Sequence, residues 1–129
     1  LDSNIFIYHF EDNKKFAPHT QIIFEKLFND ELAMVTSIVS VIETLSYPSP
    51  KDVVQGIEEG FKTLPNTTIF DVDHEIAMLA ASIRRTYKFR LPDATQLATA
   101  LYGKATVFIT NDDRLKKFKE LQVMLLTEV

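Results

Sequence analysis

The sequence contains no cysteine, no tryptophan and only three glycines in 129 residues. Without cysteine there are no disulfides and no thiolate metal sites, which suits the cytoplasm. No apolar run approaches the ~20 residues of a membrane span, and no signal-peptide pattern is present. The three histidines, His9, His19 and His74, lack the spacing of metal ligands and read as structural or surface residues. No repeat, linker or low-complexity segment interrupts the chain. An initiator methionine is also missing, and Asp2 leaves almost no strand in front of it. The sequence is therefore expected to start a few residues inside the natural chain.

What remains is the composition of a soluble globular protein, 46% hydrophobic and 25% charged, and one domain spanning residues 1–129. The net charge of −4 hides an asymmetry. Residues 1–83 carry five Lys and Arg against 13 acids, and residues 84–129 carry nine against five. Either this is scatter over solvated faces, or a basic rim stands beside an acidic pocket.

Periodicity gives the order of elements. Ile5 to Phe10 is too uniformly apolar for a loop and predicts a short buried helix or turn entering from Asn4. Pro18 opens a helix carrying Ile22, Ile23, Leu27 and Phe28. Leu32–Val35 predicts a strand, and Thr36 or Ser37 can cap a helix containing Ile38, Val41, Ile42 and Leu45. Ser49 as cap and Pro50 at the first position predict a further helix. Thr67–Phe70 predicts a strand, followed by a helix with Ile76, Leu79, Ala80, Ile83 and Tyr87 on one stripe. Leu91-Pro92-Asp93 opens a small-residue helix that stops at Gly103. Thr106–Thr110 has the pattern of a fully buried strand. Leu115 and Phe118 mark a short basic helix, and Val123–Leu126 the last strand. Strands alternating with helices predict an α/β fold, a parallel sheet with helices on both faces.

In such sheets ligands bind outside the carboxyl ends of the strands. Asp2 falls at such a position, and Glu43, Asp93 and Asp112 occupy comparable ones. Each has an ordinary alternative: Asp2 as a turn former, Asp93 as a first-turn helix charge, Asp112 as a cap. Glu43, two turns into a helix beside apolar neighbours, is harder to explain that way.

Four motifs, in order, carry a resemblance: Asp2-x-Asn4 with its apolar tail, Thr36-Ser37-x-x-Ser40-x-x-Glu43, Leu91-Pro92-Asp93-Ala94 and Thr110-Asn111-Asp112. Together they resemble PIN-domain ribonucleases over nearly the whole chain, most closely the VapC-type toxins of toxin–antitoxin pairs. The resemblance implies a five-stranded parallel sheet and cleavage of single-stranded RNA at an acidic pocket holding divalent metal. It also implies a cognate antitoxin partner and a homodimer. By position, Asp2, Glu43, Asp93 and Asp112 match the catalytic acids, while Asn4 and Thr110 match supporting polar residues. Asp113 adjoins Asp112; the latter is preferred because it directly follows Thr110-Asn111.

Two carboxylates ~4 Å apart repel by about 4 kcal/mol at an effective dielectric near 20. Four in one pocket therefore need cations, or some must hold protons. Oxygen ligands without His or Cys select Mg²⁺ or Mn²⁺. Asp2, Asp93 and Asp112 are assigned to metal, with Glu43 either a further ligand or the group that orients the attacking water. Arg84, Arg85 and Lys88, interleaved with Tyr87 and Phe89, either grip RNA phosphates or form a cationic helix end over core aromatics. Two other classes compete with the nuclease reading. A catalytically inactive PIN-like RNA-binding scaffold would not need all four acids. A receiver-type phospho-acceptor domain would need a pair of acids after its first strand, where this chain has one.

Overall fold

The computed structural model describes residues 1–129. Six helices and four short strands follow in the order α1 Ser3–Phe10, α2 Ala17–Phe28, β1 Met34–Ser37, α3 Ile38–Leu45, α4 Lys51–Lys62, β2 Thr67–Phe70, α5 His74–Tyr87, α6 Leu91–Tyr102, β3 Val107–Thr110 and β4 Gln122–Leu125. A 3₁₀ turn, Asp113–Lys117, connects β3 to β4, and another, Leu126–Glu128, follows β4.

The strands form two parallel pairs. Met34 of β1 stands opposite Thr67 of β2, and Val107 of β3 opposite Gln122 of β4. Leu1 and Asp2 lie between the pairs. The Leu1 nitrogen donates to the Val35 carbonyl at 3.1 Å, and the Asp2 N–H donates to the Ile109 carbonyl at 3.0 Å. Thr36 Oγ1 donates to the Leu1 carbonyl at 3.1 Å. The layer therefore runs β2, β1, Leu1–Asp2, β3, β4. The expected sheet of about five strands is realised as two pairs joined by these two residues. Behind Leu1 the pairs part around an apolar cavity bordered by Met34, Val35, Val107 and Ile109.

Adjacent strand residues point to opposite faces, so the sheet separates two cores. Phe70 and Phe108 join Ile76, Ala80, Ile83, Phe89, Ala94, Leu97 and Ala98 beneath α5 and α6. Ile69 and Ile109 face Ile5, Phe6, Ile23, Phe24, Leu27, Ile57 and Phe61 of α1, α2 and α4. Helices thus cover both faces. α6 is the most enclosed element, with every residue from Asp93 to Ala100 buried. Its alanines let it approach closely, and Gly103 ends it against the Phe70 ring, where a Cβ would sit only 3.0 Å from the ring edge.

Several local expectations shift. β1 begins at Met34, whose N–H is taken by the Asn66 carbonyl, while Leu32 and Ala33 are exposed. Pro50, not Ser49, caps α4, its carbonyl accepting from the Val54 N–H at 3.1 Å. β3 is half-buried rather than fully buried: Phe108 and Thr110 are enclosed, while Val107 and Ile109 border the cavity behind Leu1. Leu79 falls outside the α5 stripe and is exposed. α1 begins at Ser3, one residue earlier than expected, because Asp2 itself caps it.

Phe108 has no solvent exposure and sits where β3 meets α6. Phe108→Ala should lower unfolding free energy by about 3–5 kcal/mol, measured by urea denaturation, with no change in the denaturant slope.

Candidate active site

Asp2 is placed by the strand-like residues before α1 and held by that helix. Its Oδ1 accepts from the Ser3 N–H at 2.8 Å, the capping bond of α1. Its Oδ2 accepts from the Thr110 hydroxyl at 2.6 Å, across the layer from β3. Thr110 Oγ1 in turn accepts from the Asp112 N–H at 3.0 Å. One buried hydroxyl thus ties the first acid to the backbone of the fourth. Thr110 is fully buried and Asp2 is 6% exposed. Burial pushes the Asp2 carboxyl up from its ordinary range, and the nearby charge of Asp93 adds to this, while the bonds from Thr110 and Ser3 oppose it.

Asp93 stands in the first turn of α6, buried, behind the proline that opens the helix. Arg90 Nε lies 3.3 Å from its Oδ2. Asp112 caps the 3₁₀ turn by accepting from the Arg114 N–H at 3.1 Å. The Arg114 guanidinium also grips both Asp112 oxygens, with Nη2 to Oδ2 at 2.5 Å and Nε to Oδ1 at 2.9 Å. These bonds from Arg114 hold the Asp112 carboxyl below its ordinary value. Arg90 also acts on Asp112, and Arg114 on Asp93, so two acids and two guanidinia share one neighbourhood. Arg90 and Arg114, which no motif connects to the pocket, thus supply part of the cationic charge that the clustered acids need. Their proximity in sequence to Asp93 and Asp112 was the available signal.

Glu43 lies half-buried on α3 and reaches the same region through Ser3, whose Oγ donates to Glu43 Oε1 at 2.5 Å. Asn4 is half-buried, and its Oδ1 is buried without a hydrogen-bond partner. Asp113 is exposed. The structure thus brings Asp2, Asp93 and Asp112 into one linked neighbourhood, with Glu43 one hydroxyl away from the residue after Asp2. It does not close them into a cage: nowhere do three acids or histidines converge in a ready metal-binding arrangement.

Arg84, Arg85 and Lys88 stand at the carboxyl end of α5, exposed. Arg84 Nε donates to the Phe89 carbonyl at 3.2 Å, and Lys88 ends the helix in a left-handed conformation with φ of 63°. Tyr87 and Phe89 stack with centroids 5.4 Å apart and pack on Phe118, so these aromatics belong to the core side of the segment.

Residues 1–121 match the family model described as PIN domain, and the chain belongs to the PIN-domain family. Comparison with curated proteins found no match. Among solved structures, a chain of VapBC2 from Rickettsia felis, bound to a DNA fragment from its promoter, is similar with a TM-score of 0.77 at 18% identity. That match covers 97% of this chain and 96% of the other. A chain of a toxin–antitoxin complex from Klebsiella pneumoniae is similar with a TM-score of 0.69 at 22% identity, covering 99% and 97%. At these identities the likeness is one of fold.

The raised Asp2 carboxyl sets a sign for acid stability. Between the ordinary carboxylate value and the raised folded one, the native state holds a proton that the unfolded chain has released. Its contribution is complete below the unfolded value and is lost as pH rises through the folded one. Denaturation in chelator across this window should show that loss in the wild type. Asp2→Asn should remove it, and an identical pH profile in the variant would show that Asp2 is not perturbed.

Proposed function

We propose that this chain is a metal-dependent endoribonuclease, the toxin of a toxin–antitoxin pair. The observation that carries this reading is the buried Asp2 carboxyl beside Asp93, tied through Thr110 to Asp112 at the carboxyl end of the sheet. Proteins do not bury two acids together without a cation or a proton to share. The oxygen-only donor set fits a hard divalent ion, Mg²⁺ or Mn²⁺. Asp2, Asp93 and Asp112 would hold it, with Glu43 as a further ligand or the residue orienting water. When bound, the ion supplies a lowered water pKa and stabilises charge on phosphate oxygens.

The chain's own groups prepare that chemistry. Thr110 fixes the rotamer of Asp2 and the backbone at Asp112. Arg90 and Arg114 are exposed over most of their length, with side chains 69% and 66% accessible. With Asp93 and Asp112 as ligands of an ion, these guanidinia would remain at the rim to meet the phosphate backbone. Arg84, Arg85 and Lys88 extend the basic edge along which RNA would lie. The guanidinium already seated on Asp112 is also the chemistry by which an antitoxin side chain would silence the site. The fold shared with chains of toxin–antitoxin complexes supports a cognate antitoxin as partner, and the toxin itself is proposed to act as a homodimer in the cytoplasm. No helix of the chain is long and apolar enough to cross a membrane.

Mn²⁺ should raise the melting temperature, since an ion bound only by the native state stabilises it by mass action. Asp93→Asn should shrink that shift and reduce cleavage of single-stranded RNA by orders of magnitude. Equal shifts in wild type and variant would refute the shared metal site. Absence of cleavage by the metal-loaded wild type on varied RNA pools would leave the inactive scaffold as the better reading.

RNA binding should weaken as salt rises, because phosphate contacts release counterions. Neutralising Arg84, Arg85 and Lys88 together should flatten the dependence of log Kd on log salt, measured with RNA in Ca²⁺. An unchanged slope would assign these residues to the helix end alone.

A further inference from the structure

We infer that Gln96 is a positioning residue for Glu43, acting through the Ser3 hydroxyl. This rests on the nuclease reading for its consequence in catalysis, but its geometry stands apart from it. Gln96 lies one turn beyond Asp93 on α6 and is only 2% exposed. Its Nε2 donates to Ser3 Oγ at 3.0 Å and to Ser40 Oγ at 2.7 Å. Ser3 Oγ donates to Glu43 Oε1. Thr36 Oγ1 lies 2.8 Å from Ser40 Oγ and donates to the Leu1 carbonyl.

The directions of these bonds follow from counting hydrogens. A hydroxyl has one hydrogen, and an ionised carboxylate or a main-chain carbonyl only accepts. Ser3 spends its hydrogen on Glu43, so its other close partner must donate. Thr36 spends its hydrogen on Leu1, so Ser40 must donate to Thr36 and accept from Gln96. Both requirements are met only with the Gln96 amide nitrogen facing the two serines. Each of its two hydrogens heads one chain, and one of these ends on Glu43. The opposite amide orientation would place Oε1 against two hydroxyls whose hydrogens are already committed.

The arrangement carries a cost. Gln96 Oε1 is buried with no hydrogen-bond partner, which disfavours the folded state. Leucine at this position would remove that unpaired acceptor together with the two donors to Ser3 and Ser40. With both donors removed, Ser3 is free to turn from Glu43, and the carboxylate loses its fixed rotamer.

The test uses Gln96→Leu, Ser3→Ala, Ser3→Thr and the double variant Gln96→Leu/Ser3→Ala in the full chain. Side-chain scalar couplings without RNA or metal should show one Glu43 rotamer in the wild type and averaging in Gln96→Leu. Gln96→Leu should still melt in one cooperative transition, as the wild type does. On RNA in Mn²⁺, Gln96→Leu should lower kcat by roughly tenfold with little change in KM, as groups that orient a site residue do. Ser3→Ala should match it, the double variant should fall no further, and Ser3→Thr should retain activity. An unchanged Glu43 rotamer in Gln96→Leu, or additive losses in the double variant, would overturn the inference. If the wild type cleaves no RNA, the nuclease reading fails while the rotamer measurement still decides the role of Gln96.

Discussion

The hydrogen bond from Thr110 to Asp2 is the constraint on which the site depends. It joins a residue before the first helix to the end of β3, more than a hundred positions later in the chain. The main-chain hydrogen bonds that join the two parallel strand pairs run through Leu1 and Asp2, so the same short stretch joins the layer and carries the first acid. Sheet cohesion and acid placement are therefore one problem. A buried carboxylate is costly unless it is paired or hydrogen-bonded, and here two donors, Ser3 N–H and Thr110 Oγ1, offset part of that cost.

A second pattern is the difference between the acids. Asp2 is inside, pressed towards its protonated form by burial and by Asp93, whereas Asp112 is held ionised by Arg114. Environments that push neighbouring carboxyls in opposite directions are how proteins separate chemical roles among like residues. The cationic partners of Asp93 and Asp112 come from residues three before and two after them. The charge asymmetry between the two parts of the chain thus has a local meaning: some of the basic excess after residue 84 is spent on the acids themselves.

Much of this was legible in the sequence because period and punctuation agreed. Ser37 before Ile38 and Gly103 after Tyr102 mark helix limits in the structure as in the pattern. The strands were less legible because each is only four residues long, too short for alternation to define an edge. Thr106–Thr110 has the composition of a strand buried on both faces, yet the cavity behind Leu1 leaves Val107 and Ile109 half-covered. The acids could be located by motif, but their partners could not. Whether Arg114 folds back on Asp112 depends on a 3₁₀ turn, and periodicity does not distinguish that turn from a short α-helix. In the sequence Gln96 is simply part of a small-residue helix, since nothing local shows that both its donors face serines from other elements.

The enclosure of α6 divides the site into a fixed part and an adjustable part. Amides inside a helix buried from Asp93 to Ala100 exchange with solvent only when the whole domain opens, so the geometry around Asp93 is inherited from the global fold. Asp112 sits instead on a 3₁₀ turn with exposed neighbours, and Glu43 on a helix whose next residue but one, Leu45, is followed by an exposed Ser46–Pro48 stretch. Those ends reach solvent, while Leu115 of the turn and Val41 and Leu45 of α3 anchor the two elements in the cores. Variation in what such a pocket accepts therefore has a natural location: on the α3 end and the turn after β3, around a centre that α6 keeps still.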